Sequence, residues 1–336
     1  MAVKWTVNKK RYRELCEAFN GKRITVIGDL MMDEYLWGQA TRISPESPVM
    51  VVEVKSESQV PGGAANVVNN ILALGGRVSV IGVVGEDITG EQLISSLSSH
   101  KADIHGVLRD GSRPTTRKTR ILAHHQQVLR VDREERGNLS PEMEEILIGR
   151  VRQLLHHSDA VILSDYAKGV LTRTVIHACI ETAKELNLLI TANPKPQSAR
   201  FMHGMTVISL NQSEAEMTAA LNGIRENPLI FEGEGLDEAG RILVKELGVE
   251  NLLVTRGGKG LSLWTEVGTV THMPAHEVEV YDVAGAGDTV ISMLTLALTG
   301  GAGMREALHL ANHAAACVIR KVGVATVTPE ELYADG

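Results

Sequence analysis

Cysteines and long apolar runs are both scarce in this sequence of 336 residues. The three cysteines, Cys16, Cys179 and Cys317, are odd in number and far apart, which argues against a disulfide framework and excludes a Cys-x-x-Cys pair. No apolar run reaches the roughly 18 residues of a transmembrane helix, and residues 1–5 lack the apolar core of a signal peptide. We therefore expect a protein of the reducing cytoplasm without a membrane partner.

Aromatic residues are also few, and the net charge is negative. Aromatic residues make up only 3% of the chain and hydrophobic residues 43%, so the core must be mostly aliphatic. The formal net charge of -7 and the pI near 6.0 argue against a nucleic-acid partner and an anionic membrane surface. The length allows one large α/β domain or two smaller domains.

Short, continuous apolar segments alternate along the chain with segments of helical periodicity. Strands are predicted at residues 24–27, 78–84, 160–163, 188–191, 206–208 and 252–254, and helices at about 63–74, 89–99, 141–157, 173–186, 213–221 and 236–247. This alternation predicts an α/β fold with a doubly wound, mostly parallel sheet flanked by helices. Residues 49–55 and 115–131 break the rhythm, and both are predicted to form amphipathic strands.

The most informative stretch is residues 280–289, in which Gly285, Ala286 and Gly287 lie between Asp282 and Asp288. Small residues that lead into a helix expose backbone N–H groups at the positive end of the helix dipole, and this arrangement binds anions. The anion would be a phosphate during its transfer, and Asp288 would be placed to accept a proton. A tight strand-to-helix turn is the alternative, because a single Gly-x-Gly is weak evidence for a phosphate site.

A second glycine turn and the end of the first predicted strand carry groups suited to a sugar. Gly62 and Gly63 let the backbone approach a ligand closely, and Asn66 offers both a donor and an acceptor to hydroxyls. Asp29 and Asp33 follow the first strand, and ligands of open α/β sheets bind beyond the carboxyl ends of the strands. Each aspartate could instead cap a turn or a helix.

These two glycine segments resemble the two signatures of the ribokinase (PfkB) family of sugar kinases, in the order that the family has. The segment ending in Asp288 is similar to the family's Asp-Thr-x-Gly-Ala-Gly-Asp, with Val283 in place of the usual threonine. The resemblance covers nearly the whole chain. It implies a single ribokinase-like kinase domain over residues 1–336, with a small β lid built from strands within about 34–56 and 105–132.

The same resemblance implies the partners and the roles of the glycine segment. ATP and Mg²⁺ would be the cofactors, with a monovalent cation left open, and a sugar phosphate would be the second substrate. Asp288 would be the catalytic base, and Gly285, Ala286 and Gly287 would form the anion hole. Members of the family with such lids commonly pair through them, so a homodimer is expected.

The nucleotide side also resembles the family. Asn211-Gln212-Ser213-Glu214 matches an Asn-x-x-Glu motif whose glutamate orients Mg²⁺-bound water, as suits a cation that prefers oxygen ligands. By its pattern alone the segment could be a helix cap, with Ser213 as the cap and Glu216 three residues later. The other ATP-binding residues that the resemblance implies are Thr255, Gly257 and Gly258 in a glycine loop and Asn312 beside the adenine.

Residues 41–49, 116–120, 163–169 and 281–283 are similar to the D-glycero-β-D-manno-heptose 7-phosphate kinases of this family. This implies transfer of the ATP γ-phosphate to the anomeric hydroxyl, giving heptose 1,7-bisphosphate in ADP-heptose and lipopolysaccharide inner-core synthesis. A phosphorylated sugar needs cations, and we expect two or three of six candidates to contact it, the rest being surface charges. The six are Arg42, Lys118, Arg120, Arg130, Lys168 and Lys195.

Two alternatives remain for the activity. One is another PfkB kinase, acting on fructose 6-phosphate, ribose or a keto-deoxy sugar acid; the other is a non-catalytic sugar- or nucleotide-binding regulator, against which an intact Asp288 argues. Asn193 stands where relatives usually have aspartate, so only amide hydrogen bonding remains there. Because the chain ends at Gly336, we expect the stand-alone form of a kinase that is often the N-terminal half of a bifunctional enzyme.

Overall fold

The computed structural model describes residues 9–124, 126–223 and 231–334. The single domain predicted over residues 1–336 and the N-terminal residues 1–5 therefore reach outside the described part of the chain. The strands, in chain order, are β1 (Arg23–Gly28), β2 (Leu30–Ile43), β3 (Met50–Gly63), β4 (Arg77–Gly85), β5 (Asp103–Asp110), β6 (Thr116–Ala123), β7 (Gln126–Arg133), β8 (Ala160–Ser164), β9 (Leu189–Asn193), β10 (Val207–Asn211), β11 (Asn251–Thr255), β12 (Leu261–Thr265) and β13 (Val270–Met273).

The helices cover much of the remaining chain. They are α1 (Lys9–Glu17), α2 (Ala64–Ala73), α3 (Ile88–Ser99), α4 (Pro141–Leu155), α5 (Arg173–Glu185), α6 (Pro196–Ala199), α7 (Gln212–Leu221), α8 (Leu236–Leu247), α9 (Ala286–Thr299), α10 (Met304–Val318) and α11 (Pro329–Ala334). Over the described ranges, none of these helices combines the length and the apolar character needed to cross a bilayer.

A large sheet forms the centre of the molecule, with strand order β13-β12-β11-β10-β9-β8-β1-β4-β5. Neighbouring strands from β11 to β5 pair in parallel, while β12 and β13 add antiparallel strands at one edge. The chain builds outward from β1 in both directions, so the doubly wound, mostly parallel sheet that the sequence predicts is confirmed. In such a sheet the crevice for ligands opens at the carboxyl ends of the strands beside the switch point.

Helices cover both faces of this sheet, which explains the continuous apolar runs of its strands. Val26 of β1 points into a core shared with α2, α9 and α10, whereas the next residue, Ile27, points into a second core shared with α4, α5 and α8. The six strands and six helices predicted from the alternating pattern are all present within a few residues of their expected bounds. The strands β5, β12 and β13 of the large sheet were not among them, and in β5 glycine and charged residues interrupt the apolar pattern.

A second, smaller sheet has the order β3-β2-β6-β7. Its strands β2 and β6 run parallel, and the two outer pairs are antiparallel. The strands β2 and β3 pair from Leu30 opposite Gly63 to Ile43 opposite Met50, so they extend beyond the expected range of 34–56 at both ends. The range of 105–132 that was expected for the other strands of the lid starts too early, because residues 105–110 belong to β5 of the large sheet.

Candidate active site

Asp288 lies in the first turn of α9, where a glycine turn delivers it to the end of the large sheet. Gly285 precedes the helix with a φ of 78°, in the left-handed region that favours glycine. A Cβ at this position would meet Asn66 Nδ2 at 2.7 Å, so any larger residue would displace that amide. The turn therefore fixes Asp288, whose side chain is only 5% exposed, against α2.

Three donors surround the Asp288 carboxylate. Oδ2 accepts a hydrogen bond from Asn66 Nδ2 at 2.7 Å, and Oδ1 accepts from Asn193 Nδ2 at 3.2 Å and from the Tyr166 hydroxyl. Asn66 is itself held, because Asn70 Nδ2 donates to its Oδ1 at 3.2 Å. Burial raises the pKa of Asp288 to about 6, although the hydrogen bonds from Tyr166 and Asn66 lower it. A carboxylate with such a pKa can act as a general base near neutral pH.

The predicted anion hole is at the amino end of α9, but its three residues differ. The N–H of Ala286 donates to the carbonyl of Val283 at 3.3 Å, so Ala286 is partly engaged within the turn. The N–H groups of Gly287 and Asp288 lie in the first turn, where an α-helix provides no acceptor. A Cβ on Gly287 would meet nothing within 4 Å, which shows open space in front of this turn. An anion would therefore approach Gly287 most closely.

A cleft of about 920 Å³ opens beside this turn at the carboxyl ends of β10 and β11. It brings together all the predicted ATP-binding residues with the glycine turn and the base. Asn312 reaches it from α10 while donating to the carbonyl of Pro274 at 2.8 Å. The predicted residues that line the cleft are Asn211, Gln212, Ser213, Glu214, Thr255, Gly257, Gly258, Gly285, Ala286, Gly287, Asp288 and Asn312.

The Asn-x-x-Glu segment forms a capping box at the start of α7. Glu214 N–H donates to Asn211 Oδ1 at 2.8 Å, and Asn211 N–H donates to Glu214 Oε2 at 3.0 Å. The segment does cap a helix, as the alternative held, but with Asn211 and Glu214, two residues earlier than the expected Ser213 and Glu216. Lys195 Nζ lies 2.6 Å from Glu214 Oε1. This places Lys195, which we expected beside the sugar phosphate, on the nucleotide side.

Asp33 and Arg120 form the wall of the site that faces the small sheet. The Arg120 guanidinium donates to Asp33 Oδ1, and the Asp33 side chain is buried. A Cβ on Gly62 would lie 2.0 Å from Asp33 Oδ2, so the glycine is needed for the carboxylate to lie across β3. Gly63 has a φ of 58° and starts α2. Both glycines therefore shape this wall by permitting close approach of other protein groups, while their expected contact with a sugar stays a prediction.

Asp29 and Asn66 both form hydrogen bonds within the protein, while their expected contact with sugar hydroxyls stays a prediction. The buried Asp29 carboxylate accepts hydrogen bonds from the backbone N–H groups of Tyr166, Lys168 and Val170 at 2.8, 3.0 and 3.2 Å. Asp29 thus holds the loop after β8. This agrees with the alternative that the aspartate caps a turn. Asn66 Nδ2 donates a hydrogen bond to Asp288, and Asn66 Oδ1 accepts one from Asn70. Asn66 therefore orients the Asp288 carboxylate.

The candidate cations are scattered. Lys168 Nζ pairs with Glu134 at 2.7 Å, and the exposed Arg130 pairs with Asp132 on its own strand. Arg42 is exposed near the far end of β2 and is not brought to the base. Lys118 lies 5.7 Å from the centre of the Tyr166 ring, and burial lowers its pKa. Lys118 and Arg120 are therefore the expected cations that lie on the lid side of the site.

The model of the pfkB family carbohydrate kinases matches residues 22–331 of this chain. The chain belongs to the pfkB family. It is 40% identical over 328 residues to the bifunctional protein HldE of Trichlorobacter lovleyi and 43% identical over 307 residues to that of Geobacter sulfurreducens. These matches include 98% and 91% of the chain, which spans 65% and 61% of the length of the two relatives.

Solved structures of similar fold are also carbohydrate kinases. Phosphofructokinase-2 from Escherichia coli in complex with potassium has a TM-score of 0.75 at 18% identity, covering 94% of this chain and 99% of that one. Ribokinase of Arabidopsis thaliana complexed with ribose and ATP has a TM-score of 0.70 at 18% identity, covering 93% and 97%. This pfkB kinase therefore has the ribokinase-like fold, with a small sheet in addition to the large one.

Two residues that donate hydrogen bonds to the Asp288 carboxylate were not among the predicted site residues. Tyr166 donates to Asp288 from a position 122 residues away in the chain, and Asn193 donates from 95 residues away. Asn193 stands where an aspartate was expected, and its amide now supplies a donor where a carboxylate would repel the base. The sequence did carry signals for both: Tyr166 lies in the similar stretch 163–169, and Asn193 offers amide hydrogen bonding at the end of β9, beside the switch point.

With Asp288 as the predicted base, the kcat/KM of this pfkB kinase is expected to fall on the acid side of about pH 6, because the carboxylate must be ionised to accept a proton and burial raises its pKa to about 6. A pH profile of kcat/KM measures this. Since a sugar phosphate also titrates near about pH 6, the profile should be repeated with an unphosphorylated sugar. An acid limb near about pH 4, the ordinary aspartate range, would contradict the assignment of the base.

Proposed function

We propose that this pfkB kinase transfers the γ-phosphate of ATP to the anomeric hydroxyl of D-glycero-β-D-manno-heptose 7-phosphate. The product would be heptose 1,7-bisphosphate, for ADP-heptose and lipopolysaccharide inner-core synthesis. The observation that carries the proposal is the identity of 40–43% to HldE proteins over at least 91% of the chain, against 18% to the phosphofructokinase and ribokinase structures. The similar stretches at residues 41–49, 116–120, 163–169 and 281–283 support it.

The described residues supply the steps of this transfer. ATP would lie in the 920 Å³ cleft with its γ-phosphate before Gly287, and Asp288 would take the proton of the attacking hydroxyl. The first-turn N–H groups and the ammonium of Lys195 would stabilise the charge of the transferring phosphoryl group. Positioning and electrostatic stabilisation of this kind account for most of phosphoryl-transfer catalysis.

Mg²⁺ would bind in the same cleft. Glu214 lines it and accepts from Lys195 through Oε1 and from the Asn211 N–H through Oε2, so this carboxylate and the nearby Ser213 hydroxyl would hold the ion through bound water; oxygen donors are those that this ion prefers. When bound, Mg²⁺ would neutralise charge on the ATP phosphates. A monovalent cation is a further candidate activator, since the E. coli phosphofructokinase-2 structure contains potassium.

Among the candidate cations, Lys118 is best placed to bind the phosphate of the sugar. Among the described residues it forms no salt bridge, whereas Arg120, Lys168 and Lys195 each pair with a carboxylate. Burial without such a partner lowers its pKa, and a phosphate would supply the missing counter-charge. The proposal thus assigns the sugar phosphate first to Lys118 and then to Arg120.

Lys118→Gln is expected to lower kcat/KM for heptose 7-phosphate about 10- to 100-fold, the effect of one lost charged hydrogen bond. Turnover of the unphosphorylated heptose should change little. ADP release across a panel of heptose 7-phosphate, free heptose, fructose 6-phosphate and ribose measures both effects and tests the proposed function. Arg130→Gln is the matched control, because Arg130 is exposed and paired with Asp132. Equal losses in both variants would contradict the assignment.

We also propose a homodimer formed through the small sheet. One surface of its strands exposes Ile43, Met50, Val54, Leu129 and Val131, and β3 and β7 are open edges of a four-stranded sheet. Exposed apolar surface of this kind and unpaired edges favour association with a second copy.

Val54→Lys is expected to weaken the dimer, because it places a charge in the apolar surface of the small sheet. Sedimentation velocity at micromolar concentration should give a dimer for the original chain and a larger monomer fraction for the variant. Val267→Lys is the control, since Val267 is exposed in the turn between β12 and β13 and away from the small sheet. An original chain that sediments only as a monomer would contradict this proposal.

A further inference from the structure

Tyr166 lies in a loop after β8 that two carboxylates hold in place. Asp29 accepts hydrogen bonds from the Tyr166 N–H at 2.8 Å and from the Lys168 N–H at 3.0 Å. Asp165 accepts from the Ala167 N–H at 2.7 Å, and Ala167 has a φ of 55°, a conformation that non-glycine residues rarely adopt. The loop is therefore built to keep the Tyr166 backbone at one position.

The Tyr166 side chain reaches from this loop to the base. Its hydroxyl donates to Asp288 Oδ1, and Lys118 Nζ and Lys195 Nζ lie 5.7 and 5.5 Å from the centre of its ring. Burial and the negative charge of Asp288 raise the pKa of the phenol well above its ordinary value. The hydroxyl therefore stays protonated and remains a donor, while the two ammonium groups favour this placement of the ring.

The Asp288 carboxylate has one lone-pair position that no hydrogen bond from the described residues occupies. A carboxylate offers about four lone-pair positions, two on each oxygen. On Asp288, Oδ1 accepts from Tyr166 and Asn193, and Oδ2 accepts from Asn66. With respect to donors in the described ranges, the position left open belongs to Oδ2.

We propose that Tyr166 is a positioning residue that occupies Oδ1 of Asp288, so that Oδ2 receives the proton of the sugar hydroxyl. This rests on the proposed function, in which Asp288 is the base. In that step the sugar O–H bond breaks, the sugar oxygen bonds to the γ-phosphorus, and the bond from the γ-phosphorus to the ADP oxygen breaks. The proton moves to Oδ2, and Tyr166 keeps its own proton throughout.

The groups that face Asp288 determine in which direction its pKa changes when the Tyr166 hydroxyl is removed. Burial and the charge of Asp33 from β2 raise the pKa of Asp288. Hydrogen bonds from Tyr166 after β8 and from Asn66 of α2 lower it, as does the charge of Lys195 after β9. Removing the Tyr166 hydroxyl removes a contribution that lowers the pKa of Asp288. The acid limb of the activity profile must then move to higher pH.

Tyr166→Phe is the sharpest variant, because it keeps the ring between the two lysines and removes only the hydroxyl. We expect kcat to fall about 10- to 100-fold, as for the loss of one hydrogen bond to a charged group, with the KM for ATP unchanged. The acid limb of kcat/KM should move to higher pH with the same sugar. Tyr333→Phe is the matched control, since the Tyr333 ring lies on α11 against Arg13, and it should change neither quantity.

A readout that needs no turnover separates this inference from the proposed function. The pH midpoint of the Asp288 carboxyl carbon, followed by ¹³C NMR and assigned with Asp288→Asn, should rise in Tyr166→Phe. If the original chain phosphorylates no sugar of the panel, the proposed function is wrong, and the midpoint still tests the contact. An unchanged midpoint, or an unchanged kcat in an active enzyme, overturns the positioning role of Tyr166.

Discussion

Asp288→Asn is expected to lower kcat by about 10²- to 10⁴-fold, the range for loss of a general base, while ATP still binds. The substitution keeps the size of the side chain but removes the lone pair and the charge that take up the proton. The cleft residues that would hold ATP lie on β10, α7, β11 and α10, and they do not depend on this carboxylate. Steady-state kinetics and calorimetric titration of ATP measure the two quantities.

Asp237→Asn is the control for this variant. Asp237 is a half-buried aspartate of α8 that contacts His272 and does not contact Asp288, so its replacement should leave both kcat and ATP affinity unchanged. Near-normal turnover in Asp288→Asn would remove Asp288 from the role of base. Loss of ATP binding in the same variant would show instead that the turn before α9 had collapsed.

Asp29→Ala is expected to reduce the free energy of unfolding by on the order of 3 kcal/mol. The change leaves the backbone N–H groups of Tyr166, Lys168 and Val170 without their acceptor in a buried place. The gain from removing a buried charge, whose cost is seen in a pKa raised to about 6, offsets only part of this loss. Denaturant unfolding followed by circular dichroism measures the difference.

Ser140→Ala is a graded comparison for the same measurement. Ser140 caps α4 by accepting from the Met143 N–H at 3.2 Å at an exposed position, so its loss should cost only about 1 kcal/mol. If Asp29 contacted the sugar instead of holding the loop, Asp29→Ala would raise KM and leave stability unchanged. That result would restore the interpretation that its position at a strand end first suggested.

Local sequence patterns predicted the parts of the site that are made within a few residues. The glycine turn that places Asp288 and the segment around Asn211 and Glu214 are of this kind, and both lie on the predicted nucleotide cleft. The β-branched runs likewise predicted the central strands, because burial on both faces leaves a continuous apolar signal. Hence the fold class could be predicted without coordinates, and so could the turn that carries Asp288, whose role as base stays a prediction.

Contacts between distant segments could not be predicted in the same way. Asp29 and Asn66 have the residue types and positions of sugar ligands, yet their side chains turn towards the loop after β8 and towards Asp288. The direction of a side chain at a strand end depends on which loop packs above it. For the same reason the sequence did not assign a role to Tyr166, which meets Asp288 only because α9 packs against β8.

The most direct test of the proposed function is phosphorus NMR of the protein incubated with ATP, a magnesium salt and heptose 7-phosphate. We predict that a new anomeric phosphate resonance grows while the 7-phosphate resonance persists, in step with the formation of ADP and at a greatly reduced rate in Asp288→Asn. Phosphorylation of fructose 6-phosphate or ribose, with heptose 7-phosphate left unchanged under the same conditions, would contradict the account.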